Sequence, residues 1–196
     1  MNGFGTKKTG RGFTLIEVLI SSVIAAIILS SIYSIYKTGN DLWDIKSHQA
    51  DLQAMARIAI ERMTKELKGA TRTSSRIPSP NLAISAAPNN ENVTFYLPVD
   101  LDVDGRITDN TTGAIEWDTT NAIQYQYDSG EKTLTRLANS TTETIARDVA
   151  DIQFIDAGID SQLYVTELKI ILTLTKTTPR QRTIATTQTS MVKLRN

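Results

Sequence analysis

The sequence predicts an α+β chain: a long N-terminal helix whose second half packs on a C-terminal antiparallel β-sheet domain. Three observations carry that expectation. The run from Phe13 to Tyr36 is apolar with a single charge, Glu17. Apolar residues then recur at threes and fours as far as Leu67, the spacing of one helix face. Beyond Gly69 the pattern changes to short alternating runs bounded by turn residues, as half-buried strands require.

The apolar run, as a helix rising ~1.5 Å per residue, would span about 36 Å and so cross a hydrocarbon layer of ~30 Å with a little tilt. Ahead of it lies MNGFGTKKTGRG, basic through Lys7, Lys8 and Arg11. Positive charge there predicts a cytoplasmic leader, with the rest of the chain across the membrane. A secretory signal would have a shorter apolar region followed by a small-x-small site. The expected division is therefore 1–12 as leader, 13–36 as membrane span, 37–69 as amphipathic continuation and 70–196 as an extracytoplasmic β domain.

In the continuation, Leu42, Ile45, Leu52, Met55, Ala56, Ala59, Ile60, Met63 and Leu67 share a face, and Asp51, Arg57, Glu61, Arg62, Lys65 and Glu66 occupy the others. Lys65 and Lys68 suit the negative end of the helix dipole, and Gly69 suits the position past its end. Gly39-Asn40 is the weak point, where a kink or local melting is expected. His48 reads as a solvated or packing residue rather than a ligand. Trp43 suits either the outer headgroups or the globular domain.

Pro78 and Pro80 make 71–81 a loop. Strands are expected at 82–86, 93–97, 122–127, 133–137, 150–155, 163–175 and 183–194. Asp128-Ser129-Gly130-Glu131 reads as a hairpin turn, and Pro179 as the turn into the last strand. Leu168, Ile170, Leu172 and Leu174 form an expected core face opposite Glu167, Lys169, Thr173 and Thr175.

Composition excludes much chemistry. The 196 residues contain 21 basic and 21 acidic side chains, one His and no Cys. Without cysteine there are no disulfides, thiolate metal sites or cysteine nucleophiles. One histidine leaves little material for metalloenzyme or triad chemistry. The balanced charge argues against nucleic acid as a partner. The β region has no nucleophile motif, so no enzyme is expected.

The residues Arg11-Gly12-Phe13-Thr14-Leu15-Ile16-Glu17-Val18-Leu19-Ile20 resemble the N-terminal signature of type IV pilins and of the pseudopilins of type II secretion. The resemblance implies cleavage by a prepilin peptidase after Gly12 and N-methylation of Phe13. It also implies that Glu17 pairs with the new terminal amine of a neighbouring subunit during assembly. The implied fold is pilin-like. The implied partners are the peptidase, other pilins or pseudopilins, an inner-membrane assembly platform and membrane lipid. The hairpin, the aspartate-rich loop and the C-terminal Val192-Lys193-Leu194-Arg195-Asn196 are similar to minor pilins of the W type and pseudopilins of the J type, subunits that help start or cap a filament. Major pilins often close a C-terminal loop with a disulfide, which this chain cannot form. Many carry a helix-bending proline in the span, and none is present here. The alternative is a membrane-anchored module that binds a ligand or a surface; such an anchor would need neither Gly12-Phe13 cleavage nor Glu17.

The segment Asp100-Leu101-Asp102-Val103-Asp104-Gly105-Arg106-Ile107-Thr108 matches the first part of a calcium loop, with oxygens at positions one, three and five and then glycine. The expected ligands are Asp100, Asp102, Asp104, the backbone carbonyl of Arg106, and Thr108 or Asp109. Position twelve is Thr111 rather than a bidentate glutamate, so Asp109 or Glu116 would substitute. The bland reading is an acidic surface turn without an ion. Calcium is the one cofactor the sequence suggests.

Overall fold

The structure is a computed structural model that describes residues 13–70, 82–85 and 90–194. The expected leader, including Gly12, and the loop at 71–81 lie outside the described residues. The chain divides into two compact units, Met1–Asp44 and Ile45–Asn196.

One helix, α1 (Leu15–Leu67), runs through both. In the first unit it is exposed at every position from Phe13 to Asn40. Its best window has mean hydropathy 2.4, long and apolar enough to cross a membrane. Two hydroxyls in the run are satisfied within the helix, Ser22 donating to the Leu19 carbonyl at 2.8 Å and Ser31 to that of Ile27 at 2.9 Å. In a medium without water such internal bonds remove most of the cost of a serine. The helix continues through Gly39 and Asn40, where the sequence suggested a break.

In the second unit α1 buries Leu52, Ala56, Ala59, Ile60, Met63 and Leu67 in the core. Burial starts at Leu52, later than the periodicity suggested, for Leu42 is exposed. The helix ends where expected, yet Gly69 serves another purpose than a left-handed cap. Its φ is not positive; a Cβ there would lie 2.9 Å from Leu97 Cδ2 and 3.3 Å from the Glu66 carbonyl. Close approach, not backbone conformation, favours the glycine, and a Cβ there would have to push the tip of the Leu97 side chain aside.

Eight strands follow: β1 (Ala83–Ile84), β2 (Val93–Phe95), β3 (Ile123–Asp128), β4 (Thr133–Ala138), β5 (Thr141–Ala146), β6 (Val149–Asp156), β7 (Glu167–Thr177) and β8 (Thr183–Lys193). They form two antiparallel sheets, ordered β1-β2-β3-β4-β5 and β6-β7-β8, where the sequence suggested one. The chain changes sheet at Arg147-Asp148, where Asp148 takes a φ of 59°. The sequence also missed β5, whose Thr141–Thr144 are all exposed and show no apolar alternation. The segment 163–166, expected in the seventh strand, is a turn.

The alternation in β7 reads as expected, with Leu168, Ile170, Leu172 and Leu174 fully buried. Phe95, Tyr125, Leu134, Ile152 and Phe154 complete the core, the rings of Phe95 and Tyr125 stacking at 6.1 Å. Each fully buried large side chain contributes ~1.5–3 kcal/mol against exposure. At the β3–β4 turn the Asp128 carboxylate accepts the N–H groups of Gly130 at 2.8 Å and Glu131 at 3.0 Å.

Polar contacts fasten α1 to both sheets. Glu66 Oε2 accepts from Arg136 Nε at 2.9 Å and from the Tyr125 hydroxyl at 2.8 Å. Arg62 makes a bidentate pair with Glu143, at 2.6 and 2.5 Å. Thr64 and Ser190 share a hydrogen bond of 3.3 Å across to β8. Burial, reinforced by the negative charge of Glu66, pushes the Tyr125 phenol well above its ordinary value, so it stays a donor.

Candidate functional site

Phe13 is 79% exposed and Thr14 caps the helix. The Glu17 N–H donates to the Thr14 carbonyl at 3.0 Å and to its Oγ1 at 3.3 Å. Thr14 is thus the N-cap and Glu17 the third helical residue, the spacing of a capping box. A carboxylate in the first turn also meets the positive end of the helix dipole, worth ~0.3–1 kcal/mol at an exposed site. Thr14-Leu15-Ile16-Glu17 carries this capping signal in the sequence itself, beside the pairing with a neighbour that the resemblance implies for Glu17. Around this end Leu15, Ile16, Val18, Leu19 and Ile20 all expose more than half of their surface. Such a contiguous apolar surface is stable only in lipid or against other helices.

The aspartate-rich loop has its own architecture. Isolated bridges join Pro98 to Trp117 and Thr108 to Ile115. The Val99 N–H donates to the Glu116 carbonyl at 3.1 Å, and the Glu116 N–H to that of Ile107 at 3.0 Å. The chain therefore leaves Glu116 at Val99 and returns to it at Ile107. Between those points the Asp100 carboxylate accepts the N–H groups of Asp104 at 3.1 Å and Gly105 at 2.7 Å. Asp102 accepts the Asp104 N–H at 3.2 Å, and Asp104 accepts the Arg106 N–H at 2.7 Å and the Asn110 side-chain amide. Oxygens of Asp100, Asp102 and Asp104 come within 4.8 Å of one another.

The loop is built at a conformational cost. Gly105 takes a φ of 86°, which glycine tolerates, whereas Val103 takes 63°, which a β-branched residue resists by on the order of 1–3 kcal/mol. Desolvation pushes the Asp100 carboxyl up, but the Gly105 and Asp104 amides outweigh it and hold it below the usual carboxylate range. Desolvation raises Asp102, and the charges of Asp104 and Glu116 add to that.

Of the other expected ligands, Thr108 lies in its bridge to Ile115. Asp109 turns to its own loop, accepting the N–H groups of Thr111 and Thr112 at 2.7 Å each. Glu116 stands nearer the cluster, its Oε2 accepting the Leu101 N–H at 2.5 Å. Asp100, Asp102 and Asp104 make an all-oxygen, strongly negative donor set, the chemistry a hard divalent cation takes, and the Glu116 charge bears on Asp102.

Comparison with known families finds the prokaryotic N-terminal methylation motif at residues 7–33. The chain carries a type IV pilin-like signal. No curated protein and no solved structure matches the chain. The signal implies processing by a prepilin peptidase and assembly with other pilins, and its family is structural rather than catalytic. With the exposed apolar helix it fits a single-pass membrane anchor. In this pilin-like chain the matched region ends within α1, so the β domain stands on its own geometry.

Proposed function

We propose that this pilin-like chain is a minor structural subunit of a type IV pilus or a type II secretion filament, helping to initiate or cap assembly. The observation that carries the reading is the methylation motif on a helix whose apolar surface is exposed on every side as far as Asn40. The helix waits in the inner membrane with the β domain outside the cytoplasm, then joins neighbouring helices in a bundle. The lack of cysteine supports a minor rather than a disulfide-closed major subunit. Intact mass of the membrane-derived protein tests the reading: loss of Met1–Gly12 and gain of one methyl group is the expected result. A chain retaining its leader would contradict it.

Glu17→Ala separates the two roles of that residue. Glu17 lies in the first turn rather than at the helix centre, so removing its carboxylate saves less than the ~2.5–3.5 kcal/mol that a central charge costs, and the monomer should reach the membrane as well as before or better. Pairing with a neighbour's Phe13 amine is lost, so incorporation into filaments should fall at least tenfold. Immunoblotting of sheared filaments against membranes measures the ratio; an unchanged ratio would remove Glu17 from assembly.

In the same reading the loop around Asp100, Asp102 and Asp104 holds calcium. The Arg106 carbonyl fills position seven, and Glu116 supplies the carboxylate that Thr111 cannot. A bound ion would stabilise the domain by RT ln(1 + [L]/Kd), ~2.7 kcal/mol at a hundredfold excess over Kd. The detergent-solubilised chain should melt higher in calcium than in chelator, and Asp102→Ala should abolish the difference. Equal melting in both conditions would make the loop an ordinary acidic turn.

A further inference from the structure

The edge of β8 is built to receive another strand. β8 pairs with β7 over its whole length, from Thr183↔Thr177 to Lys193↔Glu167. Two hydrogen bonds fix which backbone groups point where. The Leu194 N–H donates to the Thr166 carbonyl, so even-numbered β8 residues face β7. The Thr175 N–H donates to the Asp148 carbonyl on the β6 side, so its partner Ala185 faces away from β7. In an antiparallel ladder this alternates along the strand. Ala185, Thr187, Thr189 and Met191 therefore each aim one N–H and one C=O outward. No strand among the described residues pairs with that side.

Natural sheets guard such edges with lysine, proline, bulges or covering segments. From Thr183 to Val192 β8 reads TIATTQTSMV, without a charge or a proline, and only its last residue, Lys193, is charged. Its register with β7 has no shift, unlike that of β4 with β5 or β6 with β7. Nor does α1 cover it. Between the edge and the helix lies an open groove of about 640 Å³, lined by Gln49, Ala50, Gln53, Ala54 and Arg57 on one side and Ala185 to Gln188 on the other. Among the described residues that line it the charge is Arg57, already paired with Glu61 at 2.7 Å. Ala50 and Ala54 on one wall and Ala185 on the other leave room for a backbone to approach.

We infer that β8 docks an extended, uncharged segment of a partner polypeptide, which adds to the sheet as a fourth strand beside Ala185, Thr187, Thr189 and Met191. The alternating N–H and C=O groups are complementary only to another extended backbone. Neutral walls and a neutral edge favour neutral residues in it, with small side chains toward Ala50 and Ala54. A second copy's β8 is the competing occupant, and it would show as a β8-paired dimer. The inference does not depend on the filament reading.

The test uses the full chain in detergent and, as probe, a fluorescent synthetic peptide of ten alternating threonines and alanines, uncharged and unlike β8 in sequence. Anisotropy should show saturable binding. N-methylation of the peptide at alternate residues should abolish it in one phase and preserve it in the other, because only one set of N–H groups meets the edge. On the protein, Thr187→Pro removes an outward donor and should weaken binding at least tenfold. Thr187→Lys, which keeps the N–H and leaves the β7 ladder intact, should weaken binding of a peptide carrying lysine at its centre further. Hydrogen exchange of the complex should protect Ala185, Thr187, Thr189 and Met191. Absence of binding, equal loss with both methylation phases, or a β8-paired dimer in sedimentation without peptide would each overturn the inference.

Discussion

Glu66→Ala should destabilise the β domain by about 3 kcal/mol, far more than any other single charge removed from α1. Glu66 and Arg136 each expose only 19% of their side chains, and the Tyr125 hydroxyl bonded to the same carboxylate belongs to a residue with no exposed surface. Alanine leaves the guanidinium half-buried without its counter-charge and the phenol without its acceptor, and unmet partners cost more than the contact contributed. For a unit of this size the melting temperature should fall by roughly 5–10 °C, read by circular dichroism of the solubilised chain. Glu61→Ala is the internal control. Its pair with Arg57 is exposed, and such pairs are worth ~0.3–0.5 kcal/mol. Similar shifts for the two variants would show that the Glu66 cluster does not hold α1 to the sheet.

The pH response separates the Arg62–Glu143 pair from Tyr125. The Arg62 hydrogen bond, helped by Coulomb attraction, holds the Glu143 carboxyl below its ordinary value. Its contribution is therefore present above the ordinary glutamate range and is lost as the pH falls through the lowered value. Tyr125 is shifted the other way, so its contribution persists below the ordinary phenol value near 10 and is lost only as the pH rises through the raised one. Acid loosens the Arg62–Glu143 pair while leaving the phenol a donor.

Gly12→Val should leave the leader attached in essentially all molecules. A peptidase that cuts after Gly12 must bring that backbone close to its catalytic groups, and a branched side chain stands in the way. The readout is unambiguous because the leader carries three basic residues and no acidic one. Removal of Lys7, Lys8 and Arg11 takes the formal charge from 0 to −3. Isoelectric focusing should resolve the acidic mature chain from the uncut variant, and intact mass should confirm it. A mature-length Gly12→Val product would contradict the processing assignment.

The sequence by itself was enough for features that repeat locally. A 53-residue helix, the buried Leu168, Ile170, Leu172 and Leu174, and the turns at Asp128 and Pro179 all follow from periodicity and turn chemistry within a few residues. The processing signal is equally local, and so is the Thr14-to-Glu17 capping spacing. What needed the tertiary structure depends on segments far apart in the chain. Whether eight strands make one sheet or two is decided where the chain turns at Asp148, and no alternation encodes that. β5 owes its place to pairing with β4, since its exposed threonines carry no apolar signal. Gly69 lies against Leu97, Glu116 reaches the aspartate loop because Val99 and Ile107 both bond to its backbone, and Glu66 meets Arg136 from 70 residues away. Local propensity acts over a turn or a strand. A close approach or a polar contact exists only once the whole chain has packed.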